Sequence, residues 1–472
     1  MGWKGFRRLC PIARYSADMA EIPKPRWFHL TPDRLILVLL VVEGLLWLSD
    51  RLGWPVWHKG YAVLTAVASV GVAMLLMLLW FAVALIFRWR FQFSLRSLLV
   101  LVLVVAVPCS WMAVKMAQRA AVKAIVGLGG SVRYDWQSDV DGNPLWYYAK
   151  AQPPGPVWLR NLVGDDFLAN VAAVSLNRTK ITDARLAHLK GLTKLAELDL
   201  RYTHVTDAGL VHVKDLVQLK HIYLDEALVT DAGLQHLEGL TQLREVFLTG
   251  TQITDAGLVH LKGLTRLLDL RLGQTKVTDA GSAHLKGLTR LQTLFLDDTK
   301  IADAWLKNLR DFTQLQQLYL RNTHVTDAGL EDLKRLTQLR SLYLNGTQVT
   351  DTGLVCLKAF THLENLELGE TQFTDAGVKY ISGFTQLRYL RLDDTKITDA
   401  GLEHLKGLTQ LWYLRLNRTT ITDAGLEDIK GLTQLRRLEL GGTQVTDAGV
   451  KKLQQALPNC KIEWERPTPP AR

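Results

Sequence analysis

Residues 243–266 read LREVFLTGTQITDAGLVHLKGLTR, and residues 267–290 read LLDLRLGQTKVTDAGSAHLKGLTR, the same 24-residue phrase twice in succession. Outward from this pair the phrase continues in both directions without slippage. Its marker is a Thr-Asp pair, at Thr182-Asp183, Thr206-Asp207, Thr230-Asp231, and so on every 24 residues to Thr446-Asp447. All twelve copies keep the Asp and eleven keep the Thr, with Ala302 the exception. The unit is L-x-x-L-x-L-x-x-T-x-[IV]-T-D-A-G-L-x-x-L-K-G-L-T-x, and twelve copies in one register exclude coincidence.

Each unit has two halves. In L-x-x-L-x-L the last two apolar residues alternate with polar ones, as Leu198 and Leu200 do around Asp199. Period-2 alternation predicts a half-buried strand. In T-D-A-G-L-x-x-L-K-G-L the apolar residues fall at helical spacing. Thr suits the N-cap, Asp just inside suits the positive end of a helix dipole, and Gly after Lys, as in Lys262-Gly263, suits a left-handed C-cap. One strand and one short helix cannot close a core, but stacked copies can. Parallel strands at ~4.8 Å on one side and bulkier helices on the other force the stack to curve, with twelve strands spanning roughly 55 Å.

This pattern resembles the leucine-rich repeat. The resemblance implies an α/β horseshoe solenoid with parallel strands on the concave side, short helices on the convex side, and a strand face that binds partners. The Asn or Cys usual after the strand is Thr here (Thr179, Thr203, Thr251 and onward to Thr443), with Ala227 the exception. A hydroxyl can still bond the turn backbone. FSLRSLLVLVLVV at residues 93–105, a GGSVRYDW strand and the TDAGLxxLKGL units together resemble the membrane-anchored leucine-rich-repeat proteins abundant in planctomycete bacteria. This resemblance covers residues 93–464 and implies location and architecture more than activity.

The chain has 472 residues and a net charge of +10. Residues 1–150 hold 17 Lys/Arg and 8 Asp/Glu, whereas residues 151–472 hold 39 and 38. The long C-terminal part is therefore electrically balanced, which argues against a nucleic-acid surface there. Three apolar stretches stand out in the basic part: residues 35–48, 61–87 and 98–114. A helix needs ~20 apolar residues to cross a bilayer, so 61–87 meets the requirement with no charge in 27 residues. The first stretch carries Glu43 and admits two readings: a crossing helix whose carboxyl faces protein or water, or an interfacial helix that does not cross. Ala62, Ala66, Ser69 and Ala73 give the second stretch a small-residue face suited to close helix packing. Residues 1–34 and the loop with Arg88, Arg90 and Arg96 are basic, which the positive-inside bias places in the cytoplasm. Three crossings then put everything after residue 114 outside, although Lys115, Arg119 and Lys123 speak against it. Expected localisation is a multi-pass membrane protein with a cytoplasmic N-terminus and an extracytoplasmic repeat domain.

The expected organisation is a basic arm at 1–34, a transmembrane region at 35–114, a connector at 115–156, the repeat domain at 157–464 and a tail at 465–472. An amphipathic helix at 157–168 and a strand at 171–176 are expected to cover the first repeat. At the other end LPNCKIEW falls in strand register, with Ile462 and Trp464 at the positions of Leu438 and Leu440. Cys10, Cys109, Cys356 and Cys460 share no short spacing and read as isolated thiols.

The outward strand positions are those the fold does not dictate. One row includes Asp199, Tyr223, Phe247, Arg271, Phe295, Tyr319, Tyr343, Glu367, Arg391, Arg415 and Glu439. A neighbouring row adds His221, Glu245, Asp269, Gln317, Tyr389, Tyr413 and Arg437. Exposed aromatics beside Arg are the material of binding hot spots, so His221, Tyr223, Phe247, Arg271, Phe295, Tyr319, Tyr343, Tyr389, Arg391, Tyr413 and Arg415 are the candidate ligand-binding residues. The competing reading is that the rings pack on one another down the ladder. The face also runs from acidic (Glu197, Asp199) to basic (Arg391, Arg415, Arg436, Arg437), which suits a dipolar partner or end-to-end pairing of copies. His188, His212, His236, His260 and His284 share one helix-side position and are too far apart, at about a helix diameter, to share an ion. Asn177, Asn345 and Asn417 match the glycosylation triplet only because the repeat fixes Thr. No HExxH, GxSxG, Walker-type loop or dinucleotide fingerprint occurs, so no enzyme, metal or cofactor is expected. The sequence points to an anchored scaffold that binds a protein or surface ligand. A self-associating envelope or adhesion protein is the alternative, and an intracellular adaptor follows if the topology is reversed.

Overall fold

The computed structural model describes residues 95–137 and 154–465, and it divides into two compact units. One comprises residues 1–113 and 154–162; the other comprises 114–153 and 163–472. Within the first unit the apolar stretches 35–48 and 61–87, Glu43 and the small-residue face lie outside the described residues. The stretch 98–114 lies in helix α1, Leu95–Gly127, whose side chains are described from Cys109 on. Among the described residues no helix is long and apolar enough to cross a membrane.

The second unit is one 14-stranded sheet in which every strand pairs with its neighbours in chain order. The repeat strands are three residues long, parallel and in one register. Leu198 stands opposite Ile222, Ile222 opposite Val246, and the row continues to Leu438 opposite Ile462. Each central residue from Leu198 to Leu438 has no exposed surface. Burying one such side chain contributes ~1.5–3 kcal/mol, so the stacked row is the main source of stability. The segments between strands are single turns of α-helix, such as Asp207–Leu210, or short 3-10 helices, such as Gly257–Leu261.

The Thr-Asp marker differs from its sequence reading in one respect. Asp does not serve chiefly the dipole of its own helix. Its carboxylate reaches forward into the next repeat and accepts both the backbone N–H and the hydroxyl of that repeat's Thr. Asp231 receives Thr254 N–H at 2.7 Å and Thr254 Oγ1–H at 2.5 Å, and the pattern recurs from Asp183–Thr206 to Asp423–Thr446. Where Ala302 replaces Thr, Asp279 accepts the N–H groups of Ala302 and Trp305 instead. The same geometry explains the following glycine: a Cβ at Gly257 would stand 2.4 Å from Asp231 Oδ1.

The Thr after each strand donates its hydroxyl to the carbonyl three residues back, for example Thr251 to Leu248 at 2.6 Å and Thr323 to Leu320 at 2.7 Å. That is the turn bond expected of it. The left-handed residue expected at Lys262-Gly263 lies elsewhere. It directly precedes this Thr, where Gly250, Gly346 and Gly442 have positive φ, as do nine non-glycine residues including Tyr202 (φ 55) and Glu226 (φ 59). The chain must fold back there, whereas the Lys-Gly turn closes with i to i−3 bonds such as Leu264 N–H to Leu261 O at 3.0 Å.

The segment before the first repeat strand differs in one respect from expectation: residues 157–168 form two short helices, α2 at Val157–Val163 and a turn at Asp165–Leu168, and not one. Within the second unit the end of the core is closed by the last turns of α1, whose Ala121, Val122 and Ile125 are buried in it, and by strand β1, Ser131–Tyr134, antiparallel to β2, Val171–Ser175. Lys115 is buried in this cap and donates to Ala169 O at 2.7 Å. Burial holds its ammonium pKa below the usual lysine value. At the other end Lys461–Glu463 closes the sheet as expected, with Trp464 Nε1 donating to Val445 O at 3.0 Å.

The inter-repeat bond is testable at Asp231. Asp231→Ala leaves two donors of Thr254 without their acceptor and is expected to destabilise the domain by ~1–2 kcal/mol. Gly257→Ala alone is expected to destabilise through its contact with Asp231 Oδ1, and the double variant by less than the sum. Urea unfolding followed by circular dichroism measures all three; strict additivity would show that the two residues do not meet.

Candidate binding surface

Parallel in-register pairing places the outward residues of successive strands side by side, ~4.8 Å apart. The candidate residues therefore form continuous rows on the strand face. Phe295 and Tyr319 have ring centroids 4.9 Å apart, and Tyr319 and Tyr343 stack at 4.2 Å with planes 10° apart. Tyr389 and Tyr413 stack at 4.4 Å and 3°, and Tyr223 and Phe247 tilt together at 4.7 Å. Arg271 lies 3.7 Å above the Phe247 ring and pairs with Asp269 at 3.1 Å.

Ring-on-ring packing alters the expected exposure. Phe247, Tyr413 and His221 are buried, and Tyr223, Phe295, Tyr319, Tyr343 and Tyr389 are half-buried. Because the rings cover one another's faces, the surface presents ring edges and phenol oxygens. Tyr223 donates its hydroxyl to Glu245 at 2.8 Å, and His221 Nδ1 stands 3.3 Å from the same carboxylate. Burial opposes ionisation of Glu245, yet these bonds hold its carboxyl below the usual range. Burial and the neighbouring Tyr343 push the Tyr319 phenol upward.

The acidic-to-basic gradient is resolved locally into ion pairs. Arg391 pairs with Asp393 at 2.6 Å, Glu367 at 3.6 Å and Glu370 at 3.7 Å, while Arg415 lies 3.6 Å from Asp393 and 3.4 Å from Glu439. Asp393 has no exposed surface. Arg321, absent from the sequence reading, is central: its guanidinium lies 4.6 Å above the Tyr343 ring and pairs with Glu367 at 3.0 Å and Asp297 at 3.4 Å. Arg321, Asp297 and Asp393 belong to the row two residues beyond the central one, whose turn position gave no outward signal. Glu370, Asp393 and Asp394 bring three carboxylates within 4.8 Å, but Arg391 and Arg418 neutralise them. The histidine column lies on the helical side, where His260 Nδ1 stands 4.0 Å from Glu238.

The array is a solenoid-like stack of parallel strands and short helices, and parts of it match leucine-rich-repeat families. Residues 385–445 match the family described as leucine rich repeat, and residues 191–212, 336–358 and 361–382 match a second leucine-rich-repeat family. The fold is similar to that of an internalin (inlF) from Listeria monocytogenes, at 24% identity over 66% of this chain and 94% of the internalin, with a TM-score of 0.50. It is more distantly similar to the Leptospira interrogans LRR protein LIC12759 (19% identity, 59% of this chain and 80% of that one, TM-score 0.43). The plant peptide hormone receptor RGFR1 in complex with RGF2 is also similar (14% identity, 59% and 57%, TM-score 0.37). No curated protein matches the chain.

Asp297 gives the surface a pH signature. Burial pushes its carboxyl up to about 6, against the Arg321 N–H and guanidinium, which lower it. The folded state then binds the proton more tightly than the unfolded chain, so this contribution is full below pH ~4 and is lost as the pH rises through about 6. Asp297→Asn keeps an acceptor for Arg321 N–H and is expected to stabilise the domain at pH 7 by on the order of 1–2 kcal/mol, with the gain vanishing near pH 4. Unfolding midpoints of the two proteins from pH 4 to 7 check this; parallel curves would refute it.

Proposed function

We propose that the chain is a membrane-anchored scaffold whose concave strand face captures a polypeptide partner outside the cytoplasm. The observation that carries the reading is the run Phe295–Tyr319–Tyr343 with Arg321 across it, a half-exposed aromatic surface the fold does not require. Equivalent positions in other repeats hold Asp199, Arg271, Glu367 and Glu439, and those repeats stack equally well. Stacked rings leave no free face for a sugar or a base, whereas ring edges, hydroxyls and guanidinium groups suit backbone carbonyls and side chains of a polypeptide. Support for the anchor is the charge-free run 61–87 and the apolar segment 98–114 continuing into α1. A second reading, self-association, rests on the sheet ends: among the described residues Ser131–Tyr134 and Lys461–Glu463 each pair on one side only.

Tyr319→Ala and Tyr343→Ala are expected to lose a cross-linked cell-surface partner while sedimentation of the protein stays unchanged. The reverse result would favour self-association. Reporter fusions test the anchor: residues 55 and 160 are expected to report outside and residue 92 inside. A cytoplasmic signal at residue 160 would replace the extracytoplasmic reading with that of an intracellular adaptor.

A further inference from the structure

The position immediately before each repeat strand lies at the lip of the concave face. Its side chain is set free by the fold: across the repeats it is Ala, Lys, Arg, Leu, Gln, Glu or Cys, and once Trp. That residue, Trp412, is 54% exposed, unlike Trp305 in the core and Trp464, which is partly buried at the C-terminal end. Its neighbours in the row are Arg388 and Arg436, both exposed. The backbone fixes the three in line, since Trp412 N–H donates to Arg388 O and Arg436 N–H donates to Trp412 O, each at 2.8 Å.

The charges here differ from those of the neighbouring concave rows. There the arginines are held by buried carboxylates, as Arg391 is by Asp393 at 2.6 Å. At the lip Arg388 has only Glu364 at 3.9 Å, and that carboxylate is already held by Arg340 at 3.0 Å. Arg436 has no carboxylate within 4.0 Å among the described residues. Two guanidinium groups, Arg388 sharing Glu364 with Arg340 and Arg436 with no such partner among the described residues, thus flank an exposed indole, ~10 Å apart across two strand spacings.

We propose that Arg388, Trp412 and Arg436 form a docking site for an acidic polypeptide segment, distinct from the Tyr319–Tyr343 surface. Two carboxylates of the segment pair with the guanidinium groups, and an apolar side chain between them lies on the indole. In an extended segment residues i, i+2 and i+4 share one face, so two Glu flanking an apolar residue at that spacing lie ~13 Å apart, which two long arginine side chains on strands ~10 Å apart can reach. A nucleic acid is a poorer fit, because it needs a dense basic field and the repeat domain is electrically balanced.

The test is fluorescence anisotropy of a labelled synthetic peptide of Glu-Ser-Leu-Ser repeats, which puts Glu and Leu on one face when extended, against the full chain. Arg388→Glu with Arg436→Glu is expected to weaken binding at least tenfold. Trp412→Ala is expected to weaken it about tenfold with an unchanged salt slope. Lys262→Glu with Lys286→Glu, on the helical side, is expected to leave it unchanged. Matching thermal melts establish that the variants fold. No binding by the parent chain, an equal loss in the helical-side variant, or an unaltered affinity in Trp412→Ala would overturn the proposal. So would tighter binding of anionic vesicles through the same three residues. Failure of Tyr319→Ala to lose its partner bears on the concave reading alone.

Discussion

The bond on which this solenoid depends is the one from an aspartate of one repeat to the threonine that opens the next. A helix start leaves backbone N–H groups without partners, and a helix of one or two turns has little else to stabilise it. Here the preceding repeat supplies the acceptor for the Thr itself, whose N–H and hydroxyl both go to the Asp, while the Thr oxygen accepts an N–H of its own segment, as Thr206 does from Ala208, so each cap is completed across the boundary. Asp255 serves Thr278, and Asp303 serves Thr326, by the same two bonds. Local structure is thereby tied to stacking. The carboxylate also needs room, and the Gly beneath it in ten of the twelve repeats is a consequence: at Gly281 a Cβ would stand 2.4 Å from Asp255 Oδ1. Three letters of the repeat, Thr, Asp and Gly, thus encode one contact between neighbours.

Much of this was legible in the sequence. The period fixed strand register to the residue, and Ile462 does stand opposite Leu438. The hydroxyl of the post-strand Thr bonds the turn carbonyl three residues back, as its short reach predicts. What could not be read was direction. Nothing in T-D-A-G says whether Asp acts within its repeat or across the boundary, because periodicity looks identical in both cases. The left-handed row escaped notice for a related reason: Arg178, Tyr202 and Glu226 are not residues that announce positive φ, and the stacked turns impose it on them. The cap formed by α1 was hidden because Ala121, Val122 and Ile125 continue an apolar stretch and carry no mark of where it turns into the core.

The candidate surface shows the same mixture. Periodicity correctly put Tyr319 and Tyr343 side by side, but their exposure depends on rotamer choice, which the repeat does not specify. Stacked pairs contribute ~0.5–1.5 kcal/mol each beyond burial. The rings therefore stabilise the sheet and offer a surface at once. Binding through ring edges leaves the stacking intact, so the two roles do not compete. The arginines have the same dual character: Arg321 is anchored from below by Asp297 and Glu367 and covers Tyr343 from above.

Departures from the repeat then need a criterion that separates repair from recognition. Trp305 occupies the place of the small Gly, against which the preceding repeat packs a Leu, as Leu258 does at Gly281. In the repeat before Trp305 that Leu is Ser282, which also accepts a hydrogen bond from Asn308 at 2.7 Å. A large residue and a small one have been exchanged across one boundary, and Trp305 is wholly buried. That pair is self-contained: volume lost in one repeat is restored by the next, as close packing requires. Trp412 has no such complement. It is large and apolar, it faces water, and no neighbour shrinks or closes over it. The residue before the strand varies freely from repeat to repeat, so packing gives no reason for an indole between two exposed guanidinium groups. A departure compensated inside the molecule concerns the fold, and one left uncompensated at the surface concerns what the molecule meets.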